Sequence, residues 1–143
     1  MIAPDANLLI YAYDSTSPFY RDAHLWMEQI LSSVETVGIP VLSVHAFLRF
    51  TTHPRIVPNP RTFMQAAEIV NSWLALPHVQ VLYPGDRHWM LLQQIAKQVR
   101  LSGGQITDAA IAAIALEYGA VVHTNDRDFA RFPGLRWVNP LEG

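Results

Sequence analysis

The chain has 143 residues, half of them apolar, with no cysteine and a formal net charge of -2. That is enough apolar material for one sizeable core, it excludes disulfides, and it gives no overall electrostatic attraction to nucleic acid. The longest apolar run, Ala109 to Leu116, falls short of the roughly 18 residues that cross a bilayer, and the start, MIAPDANLL, lacks the pattern of a secretory signal, so a single domain over residues 1–143 in the cytoplasm, away from membranes, is expected.

In chain order, a short apolar run ends at Asp5 and a helix follows through LLIYAYD. Ser17 and Pro18 read as the N-cap and first turn of a second helix. Phe19, Ala23, Trp26, Met27, Ile30, Leu31 and Val34 recur at helical spacing there, which predicts one wide face on a core. VGIPVLS reads as a strand and VHAFLRFTT as a helix, ended by the proline-rich HPRIVPNPR. A helix from Thr62 to Leu76, the strand HVQVLYP and a helix from Asp86 to Arg100 come next. After the flexible SGGQ, a helix is predicted from Thr107 to Tyr118, then the strand AVVH and a last short strand LRWV. Plain apolar strands alternating with amphipathic helices predict a three-layer α/β/α sandwich around a mainly parallel sheet of about five strands.

Ligands of such sheets bind beyond the carboxyl ends of the strands. Asp5 ends the first strand, and Asp126 and Asp128 leave the penultimate one, so they meet at that edge. Asp108, near the start of its helix, can face it too. Clustered carboxylates repel and raise one another's pKa unless a cation is present, and an all-oxygen set suits magnesium or manganese rather than zinc. If the segment stays extended, Asp126 and Asp128 point the same way. Each acid also has a structural use: Asp5 or Asn7 as a helix cap, Thr107 as an N-cap with Asp108 beside the positive helix end, and Asp128 as the cap of a turn through FARF.

Three stretches, MIAPDANLLIYAYD, QITDAAIAAIALEYGA and VVHTNDRDFARFPGL, together with HAFLRFTTHPRI, resemble the motifs of PIN-domain proteins, most closely toxins of the VapC type. The resemblance implies a magnesium- or manganese-dependent endoribonuclease that cuts tRNA, rRNA or mRNA, leaving 5′-phosphate and 3′-hydroxyl ends. It also implies a VapB-like antitoxin and a homodimer. Carried over, the first acid is Asp5, the third Asp108 and the last Asp126, with Asp128 resembling an additional acid of some members. Asn7 and Thr124 match small polar positions that line the site. The second motif departs from the pattern: Ala46 stands where the family usually has glutamate. Asp128, or else the neighbouring His45, is the candidate replacement, whereas Glu117 falls on the opposite helix face from Asp108.

Nine arginines stand against one lysine, Lys97, and Arg49, Arg55, Arg61 and Arg127 border the expected crevice as candidates for RNA phosphates. Ordinary surface charge is the alternative for each. Trp89 and Trp137 are expected in the core rather than as base-stacking platforms, His123 packed in its strand, and His53 in a loop. The aromatic load, including Trp26, Phe47, Phe50, Phe63 and Trp73, predicts a hydrophobic partner surface as well as a core. No helical zinc pair of histidines, Gly-rich phosphate loop or G-x-S-x-G elbow is present. Two other classes remain: a phosphoryl-transfer domain, whose required lysine is missing from the strand ends, and a PIN-like module that binds RNA or antitoxin without cutting, which Ala46 keeps open.

Overall fold

The computed structural model describes residues 1–142. Its elements are β1 (Ile2–Pro4), α1 (Ala6–Tyr11), α2 (Tyr20–Ser32), β2 (Val37–Pro40), α3 (Val41–Thr51), α4 (Phe63–Leu74), β3 (Val79–Leu82), α5 (His88–Gln98), α6 (Gly104–Tyr118), β4 (Val121–His123) and β5 (Trp137–Val138). The five strands form one sheet in the order β3-β2-β1-β4-β5, all parallel. The predicted α/β sandwich is therefore the observed architecture.

Period-two alternation divides the strand side chains between two apolar layers. Ile2, Val37 and Ile39 join Leu8, Leu9, Trp26, Met27, Phe47 and Trp73 on the face covered by α1 to α4. Ala3 and Val122 face α5 and α6 with Ile95, Ala109, Ala112 and Phe129. β1 and β2 are buried along their whole length, as central parallel strands must be. Residues 109 and 111 to 115 of α6 are all buried, and the small alanines let that helix sit close against its neighbours. Among the described residues no helix is long and apolar enough to cross a membrane.

Several predicted boundaries move. α2 starts at Tyr20, because Ser17 Oγ accepts from Phe19 N at 3.1 Å in a turn ahead of the helix rather than capping it. Val34 follows the last turn of α2 and is 96 % exposed, so the predicted face ends at Leu31. The strand read as VGIPVLS stops at Pro40, and α3 begins at Val41. α6 begins at Gly104, after Gly103 turns the chain at φ +57°, so Thr107 is not its cap and Asp108 lies beyond its first turn. Thr62 does cap α4, in a reciprocal capping box with Gln65. Trp89 is 67 % exposed on α5, against the expected core placement, whereas Trp137 packs partly buried on the α6 side. Trp26, Phe47 and Trp73 are core; Phe63 is exposed.

Candidate active site

The sheet order reverses between β1 and β4, since the chain walks outward from β1 to β3 and returns beside β1 as β4. That switch point is where open α/β sheets bind ligands. Pro4 and His123 are register partners, so the next residues, Asp5 and Thr124, leave the sheet side by side. Asp5 N donates to His123 O at 2.9 Å, which fixes the exit.

Asp5 is 6 % exposed and serves two structures at once. Its Oδ1 accepts from Ala6 N at 2.7 Å as the N-cap of α1, and its Oδ2 accepts from Thr124 Oγ1 at 2.7 Å. Thr124 is fully buried and its Oγ1 also accepts from Asn7 Nδ2 at 3.3 Å and from Asp126 N at 3.0 Å. Asn7 Oδ1 receives Asn125 N at 3.5 Å. Asp5 thus caps α1 and binds the β4 exit at once, so the β1 and β4 exits are cross-braced.

The segment after Thr124 does not stay extended. Asp126 Oδ1 accepts from Asp128 N at 2.9 Å and caps a 3-10 turn over Arg127–Arg131. The cap of this turn is Asp126, not Asp128, and Asp128 is exposed on it rather than extended beside Asp126.

Electrostatics tie Asp108 to the group across the sheet edge. Its carboxyl is raised from 3.8 to about 6, first by desolvation and then by the charges of Asp5, Asp126 and Asp128. Asp5 is raised as well, by burial above all and by Asp126, against the lowering pull of its Thr124 and Ala6 hydrogen bonds. Asp108 therefore lies within the field of the other three acids, and Asp5 within that of Asp126. Among the described residues no three acid or histidine side chains stand close enough to grip one ion as their rotamers lie. The donor set nonetheless fits a hard divalent cation: it is all oxygen, and each additional negative charge has already been penalised in the pKa of Asp108.

The remaining residues singled out from sequence are more scattered. His45 is exposed on α3. Ala46 lines a cavity of about 290 Å³ with Ile10, Arg49, Phe50, His53 and Ile56. Arg61 lines a neighbouring one with Tyr13 and Asp14, and its Nη1 donates to Tyr13 O at 3.3 Å. Arg55 is exposed in the proline-rich loop, and Arg127 pairs with Glu142 at 2.8 Å. Glu117 accepts from Gly85 N and Arg87 N ahead of α5, a structural use that agrees with its placement away from Asp108. His123 packs as expected, accepting from Trp26 Nε1 at its Nδ1, and burial lowers its pKa. Sequence reading missed Asn125 and Asn139, which hydrogen-bond at 2.9 Å and tie the chain after β5 to the site loop. The short polar run TND after β4 and the lone Asn139 after β5 were the available signal.

A parallel sheet whose switch point gathers aspartates from three segments defines an acid-centred α/β domain, and the PIN-domain family model matches residues 2–135. The chain belongs to the PIN-domain family. More narrowly, it is 37% identical to Ribonuclease VapC43 of Mycobacterium tuberculosis over 143 residues, covering 100% of this chain and 97% of the relative. Two solved structures share the fold: VapBC2 from Rickettsia felis, bound to a DNA fragment from the promoter, and VapC20 of Mycobacterium tuberculosis, a sarcin-ricin loop cleaving toxin. The first has a TM-score of 0.70 at 16% identity, covering 97% of this chain and 98% of that one. The second has a TM-score of 0.68 at 15% identity, covering 95% and 99%.

Proposed function

We propose that the protein is a metal-dependent endoribonuclease of the VapC toxin type, neutralised by a VapB-like antitoxin. The observation that carries the reading is that Asp108, raised to about 6 first by desolvation, also feels the charges of Asp5, Asp126 and Asp128 from the neighbouring segments. The full-length similarity to a VapC ribonuclease supports the substrate class, and the VapBC2 neighbour supports the partner.

Asp5, Asp108 and Asp126 would hold magnesium or manganese, with Asp128 able to join from the 3-10 turn. When bound, the ion supplies charge stabilisation at a phosphodiester oxygen and a water acidified toward neutral pH. The chain's own contribution is placement. Ala6 N and Thr124 Oγ1 fix both oxygens of Asp5 while leaving each a free lone pair. Asn7 orients the Thr124 hydroxyl from the other side. Arg49, Arg55 and Arg61, on the α3 side, engage phosphates along the bound strand. Assembly as a homodimer follows from the same family reading.

The test is cleavage of total cellular RNA by antitoxin-free protein with magnesium, manganese or chelator, beside Asp5→Asn. Discrete fragments that need metal and vanish in the variant are expected. Folded wild-type protein that binds RNA but never cuts it would overturn the reading in favour of a binding module, with Ala46 marking the missing carboxylate.

A further inference from the structure

We propose that the cavity walled by Ile10, Ala46, Arg49, Phe50, His53 and Ile56 is a subsite for one unstacked base of single-stranded RNA beside the carboxylates. The inference rests on the ribonuclease reading and deepens it.

Position comes first. Asn7, hydrogen-bonded to Thr124 among the acids, and Ile10, in the cavity wall, are three residues apart on α1 and share a face. The cavity therefore opens about one helical turn along α1 from the acids. Its opposite wall is one stripe of α3 and its continuation, at positions 46, 49, 50 and 53.

Chemistry comes second. Ile10, Ala46, Ile56 and the Phe50 ring give apolar walls, Arg49 and His53 give donors, and no carboxylate lines the space. At about 290 Å³ it has room for one heterocycle. His53 Nδ1 accepts from Arg55 N at 3.1 Å, so Nε2 is left as the ring's N–H donor. Among the described residues the salt bridges are His24–Glu28 and Arg127–Glu142, so Arg49 has no carboxylate partner. A base with its phosphate meets both the apolar walls and the unpaired guanidinium, whereas an aliphatic peptide would leave Arg49 unmatched. The Ala46 methyl leaves this space open.

The experiment measures equilibrium binding in chelator, where nothing is cut, of a short single-stranded RNA and of the same RNA carrying one abasic nucleotide at each position in turn. Wild type is compared with Ala46→Met, which fills the cavity, and with Arg49→Gln, on the exposed end of α3, each checked by thermal melting. One abasic position is expected to weaken wild-type binding about tenfold or more. Ala46→Met should lose as much on intact RNA and nothing further on that abasic RNA, and Arg49→Gln should weaken intact RNA. Equal wild-type affinity for all the RNAs, or variants that bind intact RNA as tightly as wild type, would overturn the subsite and leave the cavity to a protein partner or to none. Parallel reactions with magnesium or manganese report separately on cutting, so failure of the ribonuclease reading is distinguishable from failure of the subsite.

Discussion

The two ends of α1 are built on opposite terms. At its start Asp5 is buried, both its oxygens are bonded, and every neighbouring charge is of its own sign. At its end Ile10 borders a cavity with half-exposed walls and the Arg49 guanidinium. The first arrangement is rigid and electrostatically costly, the second roomy and uncommitted. A fold tolerates crowded acids where hydrogen bonds fix their geometry and a cation can relieve them. Recognition of varied single strands tolerates looser walls, because every base offers a flat face.

The largest effect is expected of Asp5→Asn, which removes a charge from the buried end of α1. Cleavage should fall by about 10³-fold or more in kcat/KM, a loss of about 4 kcal/mol of transition-state stabilisation. Residual activity within a few-fold of wild type would remove the acids from the chemistry. Thr124→Val comes next. It strips Asp5 Oδ2 and Asp126 N of their partner, and metal affinity should drop about 10- to 100-fold, as for other residues that orient ligands; a titration with manganese checks this.

Asp108→Asn turns the electrostatic cost into a stability measurement. A carboxyl whose pKa rises from 3.8 unfolded to about 6 folded binds its proton more tightly in the native state. Its contribution is most favourable below pH 4 or so, is lost as pH climbs toward 6, and stays lost at neutrality. The variant should therefore stabilise the metal-free fold at pH 7.5 by about 1 to 2 kcal/mol after allowance for partial exposure, with little gain at pH 4. His123, lowered by burial, acts in the opposite sense, losing stability as pH falls, so the difference between variant and wild type isolates Asp108. Urea midpoints at the two pH values measure it. The smallest effect belongs to Arg127→Gln: its exposed pair with Glu142 should contribute less than about 1 kcal/mol.

Much of the candidate site's placement was legible because it depends on strand ends. Apolar runs located β1 and β4, and parallel topology then put Asp5 and Asp126 at one edge. Ala46 was legible only as a departure; that its methyl lines a cavity depends on the packing of α1 on α3, which no local pattern encodes. Asp128 was misplaced because the hydrogen bond from its backbone N to Asp126 curls the segment into a 3-10 turn, a side-chain choice that strand periodicity does not contain. The start of α6 was missed for a related reason: Gly103 and Gly104 read as a flexible link, yet Gly103 supplies the turn and Gly104 the first helical residue. Val34 shows the limit of periodicity, which marks apolar residues without saying where a helix stops, and Trp89 shows that apolar character alone does not say which face is covered.

If the crowded carboxylates are a divalent-cation site, calorimetric titration of manganese into antitoxin-free protein at pH 7.5 will detect it. Saturable binding is expected, weakened at least about tenfold in both Asp5→Asn and Asp108→Asn, and weakened in wild type at pH 5, where protons compete for Asp108. Binding that is absent in the folded protein, or unchanged in both variants, would contradict it.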